Sequence, residues 1–402
     1  MTNTTLTPDR SADTTTYAIL LSISLCHMLN DVMQSLLSAI YPMLKTEFAL
    51  DFWQIGMLTF GFQVTASLLQ PVVGIVTDRK PMPYSLPVGM TSTMCGLILL
   101  STAPNYAALF GGAALIGIGS SIFHPEASRV ARAASGGRFG LAQSVFQVGG
   151  NFGSALGPLL AAFIVLPFGR GSVGWFAVIA LLGMMILTAV SRWHSREQAV
   201  ARRRPVKPPV ALPRRKVQIA LAVLVLLIFS KNVYMASMSS YYTFFLIERF
   251  DLSTQQAQQM LFLFLGAVAL GTIIGGPIGD RIGRRTVIWV SILGVLPFTL
   301  MLPYASLFWT AILTIIIGVV LASAFPAIVV FGQELLPGRV GMVAGLFFGL
   351  AFGVAGIGAA VLGLAADHWG IAKVYTICSV LPAMGILTLL LPHRRDLLGT
   401  PD

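Results

Sequence analysis

The amino-acid sequence repeats itself, and this repeat limits the folds that the chain can adopt. Residues 202 positions apart match through otherwise hydrophobic stretches, and further on the offset becomes about 200. The sequence therefore predicts two halves of similar fold. Such halves are typical of membrane transporters, because they can rock about a central site that both halves line. The matched pairs are Phe48 and Phe250, Gln54 and Gln256, Phe62 and Phe264, Gly74 and Gly276, Asp78 and Asp280, Ser121 and Ser323, Phe123 and Phe325, Gly149 and Gly349, and Gly153 and Gly353.

Long apolar runs fill both halves. The chain has 402 residues, of which 56% are hydrophobic and only 10% are charged, too few polar groups to cover a water-soluble surface. A helix needs about 20 apolar residues to cross a hydrocarbon core of roughly 30 Å. We predict an all-α membrane protein with twelve transmembrane helices in two six-helix bundles. The runs lie near residues 17–40, 53–77, 86–103, 106–128, 140–165, 173–192, 217–246, 256–279, 286–303, 307–333, 340–364 and 372–391.

The net charge of +11 is unevenly distributed. Most basic residues fall in short loops on one predicted side of the membrane, which argues against a nucleic-acid partner. The opposite side keeps only Lys45, Arg170, Arg249 and Lys373. Because basic loops stay in the cytoplasm, both termini are predicted to be cytoplasmic.

A basic, proline-rich linker is predicted at 193–216. It separates an N-terminal bundle, 1–192, from a C-terminal bundle, 217–402. If the segment is a plain linker, its basic residues would lie against anionic lipid headgroups. The alternative is that they form a binding site for one specific lipid.

The turn from Gly276 to Arg285 combines glycines, an aspartate and several arginines, and a partial copy lies at 74–83. Glycines let one helix end and the chain reverse, while the acid can pair with arginines or with a helix N-terminus. Through this doubled turn the chain resembles the major facilitator superfamily. The resemblance implies the major facilitator fold and a conformational latch; a turn that only sets orientation is the alternative. The latch residues would be Gly74, Asp78, Arg79, Gly276, Asp280, Arg281, Gly283 and Arg284.

The fifth apolar run carries Gly149, Gly153 and Gly157 at a spacing of four residues, followed by Pro158. Small residues at this spacing strip one helix face, so that a neighbouring helix can approach closely. The element resembles one found in drug-export antiporters of the superfamily, which would favour efflux. The residues alone equally predict generic helix packing.

Ionisable side chains inside the apolar runs are candidates for function, because each costs a few kcal/mol unless it is paired or hydrated. The superfamily resemblance places the first, fourth and seventh helices around a central cavity, so these groups would converge. The alternative is a set of static ion pairs. The candidates are Asp31, Glu126, His27 and His124 for proton coupling, and Lys231, Asn30, Gln34, Arg129, Asn151, Tyr234 and Tyr241 for substrate binding.

Five further segments, at 27–31, 69–74, 121–126, 147–153 and 333–339, resemble a group of bacterial exporters within the superfamily. That resemblance implies a proton-driven antiporter of the inner membrane that expels a small phosphonate antibiotic. Lys231 and Arg129 suit an anionic substrate. The residues alone leave open a proton-coupled or uniport transporter of a metabolite, such as a sugar phosphate.

The sequence offers little for other classes of function. It contains no nucleophile with a paired base, no Walker loop and no metal-ligand spacing, so neither an enzyme nor an ATP-driven pump is expected. A sensor would need a sizeable soluble domain. We expect no cofactor and no metal, the proton motive force as energy source, and a monomer whose partners are a small-molecule substrate, protons and the lipid bilayer.

Overall fold

The computed structural model describes residues 15–201 and 212–393. It contains twelve helices long and apolar enough to cross a membrane, and each predicted run overlaps one of them. The predicted all-α, twelve-helix fold is therefore confirmed. The spans are α1 (Tyr17–Ala39), α2 (Trp53–Arg79), α3 (Ser85–Thr102), α4 (Tyr106–Ala133), α5 (Phe139–Phe168), α6 (Arg170–Val200), α7 (Arg214–Phe250), α8 (Gln259–Ile282), α9 (Arg284–Tyr304), α10 (Leu307–Leu335), α11 (Val340–Trp369) and α12 (Ile371–Leu390).

The ends of the predicted linker are helical. Helix α6 runs on to Ala201 and α7 begins at Arg214, so the linker is shorter than predicted. Residues 193–201 contain neither proline nor glycine, and nothing in them ends a helix. The central part of the linker, 202–211, and the chain ends at 1–14 and 394–402 lie outside the described residues.

The sequence repeat has a local structural cause at the start of α2 and of the helix that contains α8. Asp51 and Gln54 form a capping box, in which the Asp51 carboxylate accepts the Gln54 amide N–H at 2.7 Å and the Gln54 side chain accepts the Asp51 N–H at 3.0 Å. Ser253 and Gln256 form the equivalent box 202 positions later. Each box satisfies backbone N–H groups that a helix start leaves unpaired, so the same helix begins at the same place in both halves.

Among the described residues, the apolar core that both halves share lies on one side of the molecule. We call the side on which α2, α4, α8 and α10 end the basic side. One core cluster joins residues of the first half to α7 residues up to Ile228. From Val233 onward, α7 packs in a second cluster whose members all belong to the second half. The bundles are therefore joined at the basic side and separate toward the opposite side.

Glycines allow the helices of the two bundles to touch at the basic side. A Cβ added at Gly74 would collide with the backbone of Gly341, and one at Gly140 with that of Gly276. Further from the basic side the approach is looser: a Cβ at Gly356 of α11 would meet only the end of the Gln63 side chain, at 3.2 Å, and one at Gly266 of α8 would meet no described atom within 4 Å. The backbone contact of α2 with α11 and of α5 with α8 is therefore confined to the basic side, where the structure is closed.

Within the first bundle, the stripped face of α5 packs on α1. A Cβ added at Gly149 would collide with the carbonyl oxygen of Ser24, and one at Gly153 with that of Met28. At Gly157 it would collide with the Ser35 hydroxyl, and Pro158 lies one residue further on inside the same helix. This packing fixes α5 against the polar stripe of α1.

We expect Gly149→Ala to lower the free energy of unfolding by about 1–3 kcal/mol, because the added methyl group forces α1 and α5 apart. Gly266→Ala is the matched control: it lies within the α8 span, where an added Cβ meets no described atom within 4 Å. Unfolding in mixed detergent micelles would measure both variants. Equal stability of the two variants would contradict the packing described for α1 and α5.

Candidate functional site

The first copy of the predicted latch joins α2 to the start of α11. The Asp78 carboxylate accepts the backbone N–H groups of Gly341 at 3.0 Å and Met342 at 2.8 Å. A carboxylate at a helix N-terminus satisfies unpaired N–H groups and complements the helix dipole. Arg129 of α4 pairs with the same carboxylate and with Glu126. The first copy thus ties both bundles together at the basic side.

The second copy repeats this geometry with the bundles exchanged. The Asp280 carboxylate accepts the N–H groups of Gly140 and Leu141 at the start of α5, both at 2.9 Å. Arg284 pairs with Asp280 at 3.0 Å and with Glu334 at 3.3 Å. Each bundle therefore caps a helix of the other. We call the two copies together the basic-side latch.

Two predicted site residues lie in this latch and not at the centre of the molecule. Arg129 was expected to bind substrate and Glu126 to carry a proton. Instead Arg129 bonds to Asp78 and Thr77 on the basic side, and Glu126 pairs with Arg129 there. Their position corrects the expectation that all the intramembrane charges converge. Periodicity places them on α4 but does not show that α4 continues to the basic side to meet Asp78.

Other latch candidates are peripheral to these bonds. The side chains of Arg79 and Arg281 are exposed, and Gly283 adopts a positive φ of 93° where α8 ends. That left-handed backbone favours glycine and lets the chain reverse into α9.

A pocket of about 220 Å³ lies between the bundles, and Lys231 of α7 is its only charged lining residue. The Lys231 side chain is buried, with 6% of its surface exposed, and its ammonium lies 5.4 Å from the centroid of the Phe325 ring. Among the described residues, no carboxylate comes within ion-pair distance of it. The pocket, which we call the central pocket, thus presents an uncompensated positive charge.

Polar groups from both bundles complete the central pocket. Asn151 of α5 donates to the Thr272 hydroxyl of α8 at 3.3 Å, and Gln147 donates to Asn151 at 3.3 Å. The sequence indicated Lys231 and Asn151 but not the other lining residues, because the pattern of an apolar helix does not show which of its faces borders a pocket. The missed lining residues include Gln147, Asn232, Thr272, Phe325, Phe348 and Phe352.

Two tyrosines predicted to bind substrate lie elsewhere. Tyr234 is buried in the core of the second bundle. Tyr241 donates its hydroxyl hydrogen to the carbonyl oxygen of Ala359 at 2.6 Å and so ties α7 to α11. Both point away from the lining of the central pocket because only one face of α7 meets the first bundle.

Three ionisable side chains do come together, at the contact of α1, α4 and α5. The His27 and His124 Nε2 atoms lie 3.3 Å apart, and the Asp31 carboxylate lies 3.5 Å from the first and 3.7 Å from the second. The donor atoms of all three groups fit within 4.8 Å of one another. We call these three residues the His–Asp cluster. It is compact enough to enclose a single cation.

Neutral polar groups hold the Asp31 carboxylate in place. Asn30 and Gln34 each donate to its Oδ1 atom at 3.1 Å, and Ser154 of α5 approaches Oδ2 at 3.5 Å. Gln34 in turn accepts from the Ser120 hydroxyl at 2.9 Å. Asn30 and Gln34, predicted to bind substrate, therefore serve the cluster in this structure.

The central pocket and the His–Asp cluster share two walls. Phe348 and Phe352 of α11 line the pocket, and their rings lie 5.3 Å and 5.2 Å from that of His124. Helix α5 lines the pocket through Asn151 and reaches Asp31 through Ser154 three residues later. A movement of α11 or α5 would therefore act on both sites.

The fold and the paired latch are those of a secondary transporter, and sequence comparison agrees. The family model of the Major Facilitator Superfamily matches residues 23–360. The chain belongs to this superfamily, and the resemblance predicted from the doubled turn is confirmed.

Two curated relatives match along nearly the whole chain. The fosmidomycin resistance protein of Escherichia coli (strain K12) is 61% identical over 382 residues, which cover 95% of this chain and 94% of the relative. The five segments singled out in the sequence resemble this protein, and that resemblance is confirmed along nearly the whole chain. An uncharacterized MFS-type transporter, YfnC of Bacillus subtilis (strain 168), is 41% identical over 389 residues, which cover 96% of this chain and 95% of the relative.

Solved structures share the fold at low sequence identity. The transporter FucP in its outward conformation superposes with a TM-score of 0.72 at 16% identity, covering 95% of this chain and all of that chain. The human organic anion transporter MFSD10 (TETRAN) superposes with a TM-score of 0.70 at 17% identity, covering 94% and 100%.

Asp280→Asn and Asp78→Asn should each open the basic side. Hydrogen bonds to a charged group contribute about 1.5–3 kcal/mol, so loss of one charge should raise the open population about tenfold. Spin labels at Lys80 and Ile282, exposed and 202 positions apart, would report the distance between the bundles by double electron–electron resonance. The exposed Cys95 is replaced by serine in every sample.

Asp367→Asn is the control for the latch variants, because this exposed carboxylate lies on α11 near the opposite side. It should leave the distance distribution unchanged. A wild-type distribution in both latch variants would show that the two carboxylates do not hold the basic side closed.

Proposed function

We propose that this protein exports a small anionic drug, of the phosphonate type, in exchange for protons by alternating access. The single observation that carries the proposal is the buried ammonium of Lys231 in a pocket between the two bundles. The basic side is taken to face the cytoplasm of a bacterium, with the protein in the inner membrane, because basic loops are retained there.

The charge of Lys231 selects for an anion. An ammonium removed from water costs several kcal/mol, which a bound anion offsets through a charge-assisted hydrogen bond. Gln147, Asn151 and Thr272 supply neutral hydrogen-bonding groups around it. A volume of about 220 Å³ fits a small solute. The pocket therefore suits a compact molecule with one anionic head and several polar atoms.

The choice of a drug over a metabolite follows the Escherichia coli relative, whose name refers to resistance to fosmidomycin. Fosmidomycin is a small phosphonate, so its anionic head matches the charge of Lys231. A sugar phosphate presents the same phosphorus–oxygen chemistry and is the second candidate. Competition between the two for the same pocket would rank them.

We assign the exchanged proton to the His–Asp cluster and its carboxylate Asp31. Glu126 is the less suitable acid, because Arg129 and Ser85 already bind its carboxylate and it lies in the basic-side latch. Asp31 contacts only neutral amides, a hydroxyl and two imidazoles. Its charge can therefore change without breaking a strong ion pair.

In the proposed cycle the protein binds the anion and the proton alternately. With the basic side open, a cytoplasmic anion binds at Lys231 and the proton leaves the His–Asp cluster for the cytoplasm. The latch then closes the basic side, as in the present structure, and the anion leaves on the opposite side. A proton from that side then binds the His–Asp cluster and lets the protein return to the state that is open at the basic side. Protons moving down their electrochemical gradient into the cytoplasm therefore drive export.

Lys231→Met should abolish saturable transport of fosmidomycin or raise the half-saturating concentration at least about tenfold, because a buried charge partner contributes 2–5 kcal/mol or more to binding. Uptake of labelled drug into everted vesicles would measure it. Lys216→Met is the matched control, since this exposed lysine lies at the start of the same helix. Wild-type transport by Lys231→Met would remove the basis for an anionic substrate.

Asp31→Asn should lose accumulation against a gradient, because an amide cannot carry the exchanged proton. Glu126→Gln should retain coupling, even if loss of the Arg129 pair slows the cycle. Everted vesicles with an acidic interior would test both. If wild-type protein accumulates drug equally with the pH gradient collapsed, proton coupling is absent. If Glu126→Gln loses accumulation and Asp31→Asn keeps it, the assignment of the proton to Asp31 is wrong.

A further inference from the structure

We infer that the exchanged proton is held jointly by His27, His124 and Asp31, as one three-residue acid, and not by Asp31 alone. The inference rests on the proposed proton exchange and concerns how the proton is bound. It follows from which atoms of the His–Asp cluster can donate a hydrogen bond and which can only accept one.

Backbone carbonyl groups fix the tautomer of both histidines. The His27 Nδ1 atom lies 2.7 Å from the carbonyl oxygen of Phe146, and the His124 Nδ1 atom lies 2.9 Å from that of Ser120. A carbonyl oxygen only accepts, so both Nδ1 atoms must donate. The Ser120 hydroxyl also lies 3.3 Å from His124 Nδ1, but it donates its hydrogen to Gln34 at 2.9 Å. It therefore does not donate to Nδ1.

The two Nε2 atoms are consequently acceptors whenever the imidazoles are neutral. They face each other at 3.3 Å, and the carboxylate of Asp31 faces both. Without a proton the cluster would hold three acceptor groups directed at one another in a site removed from water. One proton turns an N···N contact into an N–H···N bond and gives the carboxylate a cationic partner.

A single proton also balances the local charge. The deprotonated cluster carries one negative charge, and one proton makes it neutral. The charged groups on adjoining helices contact other residues. Glu126 pairs with Arg129. Lys231 lies against the Phe325 ring, which packs on the Phe348 ring beside His124. In the described part of the chain, the side chains that contact the cluster carry no charge. They are Asn30 and Gln34 from α1, Phe123 and Ser120 from α4, Phe146 and Ser154 from α5, and Phe348 and Phe352 from α11.

Access to the cluster is asymmetric. The Asp31 side chain has 8% of its surface exposed, whereas those of His27 and His124 have 1% and none. Protons therefore enter and leave through the carboxylate and are retained by the imidazoles. Phe348 and Phe352 cover His124 from the second bundle, so opening the basic side would remove this cover and let the proton escape there.

His27→Gln and His124→Gln test the inference, with His194→Gln as the matched control, because His194 is a buried histidine on α6 bonded to Gln198 and outside the cluster. Purified protein in weakly buffered detergent, with a chelator present, is mixed with fosmidomycin. A pH dye then counts protons released per drug bound, and calorimetry measures the affinity. Proteoliposomes report drug exchange without a gradient and accumulation with one.

Wild type and His194→Gln should release a proton on binding and accumulate drug. Both cluster variants should bind and exchange drug within about threefold of wild type, yet release less than half as many protons and lose most accumulation. A merely structural role would impair exchange along with release.

Two results would overturn the inference. If both histidine variants release protons and accumulate drug like wild type while Asp31→Asn does not, Asp31 carries the proton alone and the proposed function stands. If the folded variants no longer bind drug, the histidines act on the substrate and not on the proton. Failure of wild type itself to release protons or to use the gradient would instead remove the proposed function.

Discussion

The closed side of this transporter depends on two aspartates that each cap a helix in the opposite bundle. A helix start leaves N–H groups that need a cap or water as a partner. Asp78 satisfies those of α11, and Asp280 satisfies those of α5. The bonds can form only when the bundles touch, so the same interaction that completes the helices also defines the conformation.

The glycines of the interface make these caps reachable. A side chain at Gly341 would collide with Arg129, and one at Gly140 with the backbone of Gly276. Without that close approach the carboxylates would not reach the amides. The polar bonds and the small residues therefore act together: the glycines let the helices approach closely, and the aspartate hydrogen bonds stabilise the contact.

In the described part of the chain, buried charges are paired at the basic side of the membrane and unpaired near its centre. In the basic-side latch Arg129 pairs with Asp78 and Glu126, and Arg284 pairs with Asp280 and Glu334. The acids of the latch therefore have partners within the protein. At the centre, Lys231 has no carboxylate partner among the described residues, and Asp31 is surrounded by neutral donors and two histidines. Balanced charges hold a conformation, whereas unbalanced ones need an anion or a proton to complete them. This contrast supports the proposed division between the basic-side latch and the sites for anion and proton.

The sequence by itself determined the twelve spans, the twofold repeat and the identity of Asp78, Asp280, Lys231 and Asp31 as unusual residues, because hydrophobic length, capping and intramembrane charge are local properties. Only the tertiary structure decided which of them meet. Glu126 and Arg129 follow His124 by only two and five residues, yet this is about 3 Å and 7.5 Å along a helix axis. Together with the turn of the helix, that shift moves these side chains from the central cluster to the basic-side latch. The aromatic wall between pocket and cluster was likewise decided by packing, since Phe348 and Phe352 acquire their role only through the face of α11 that the other bundle covers.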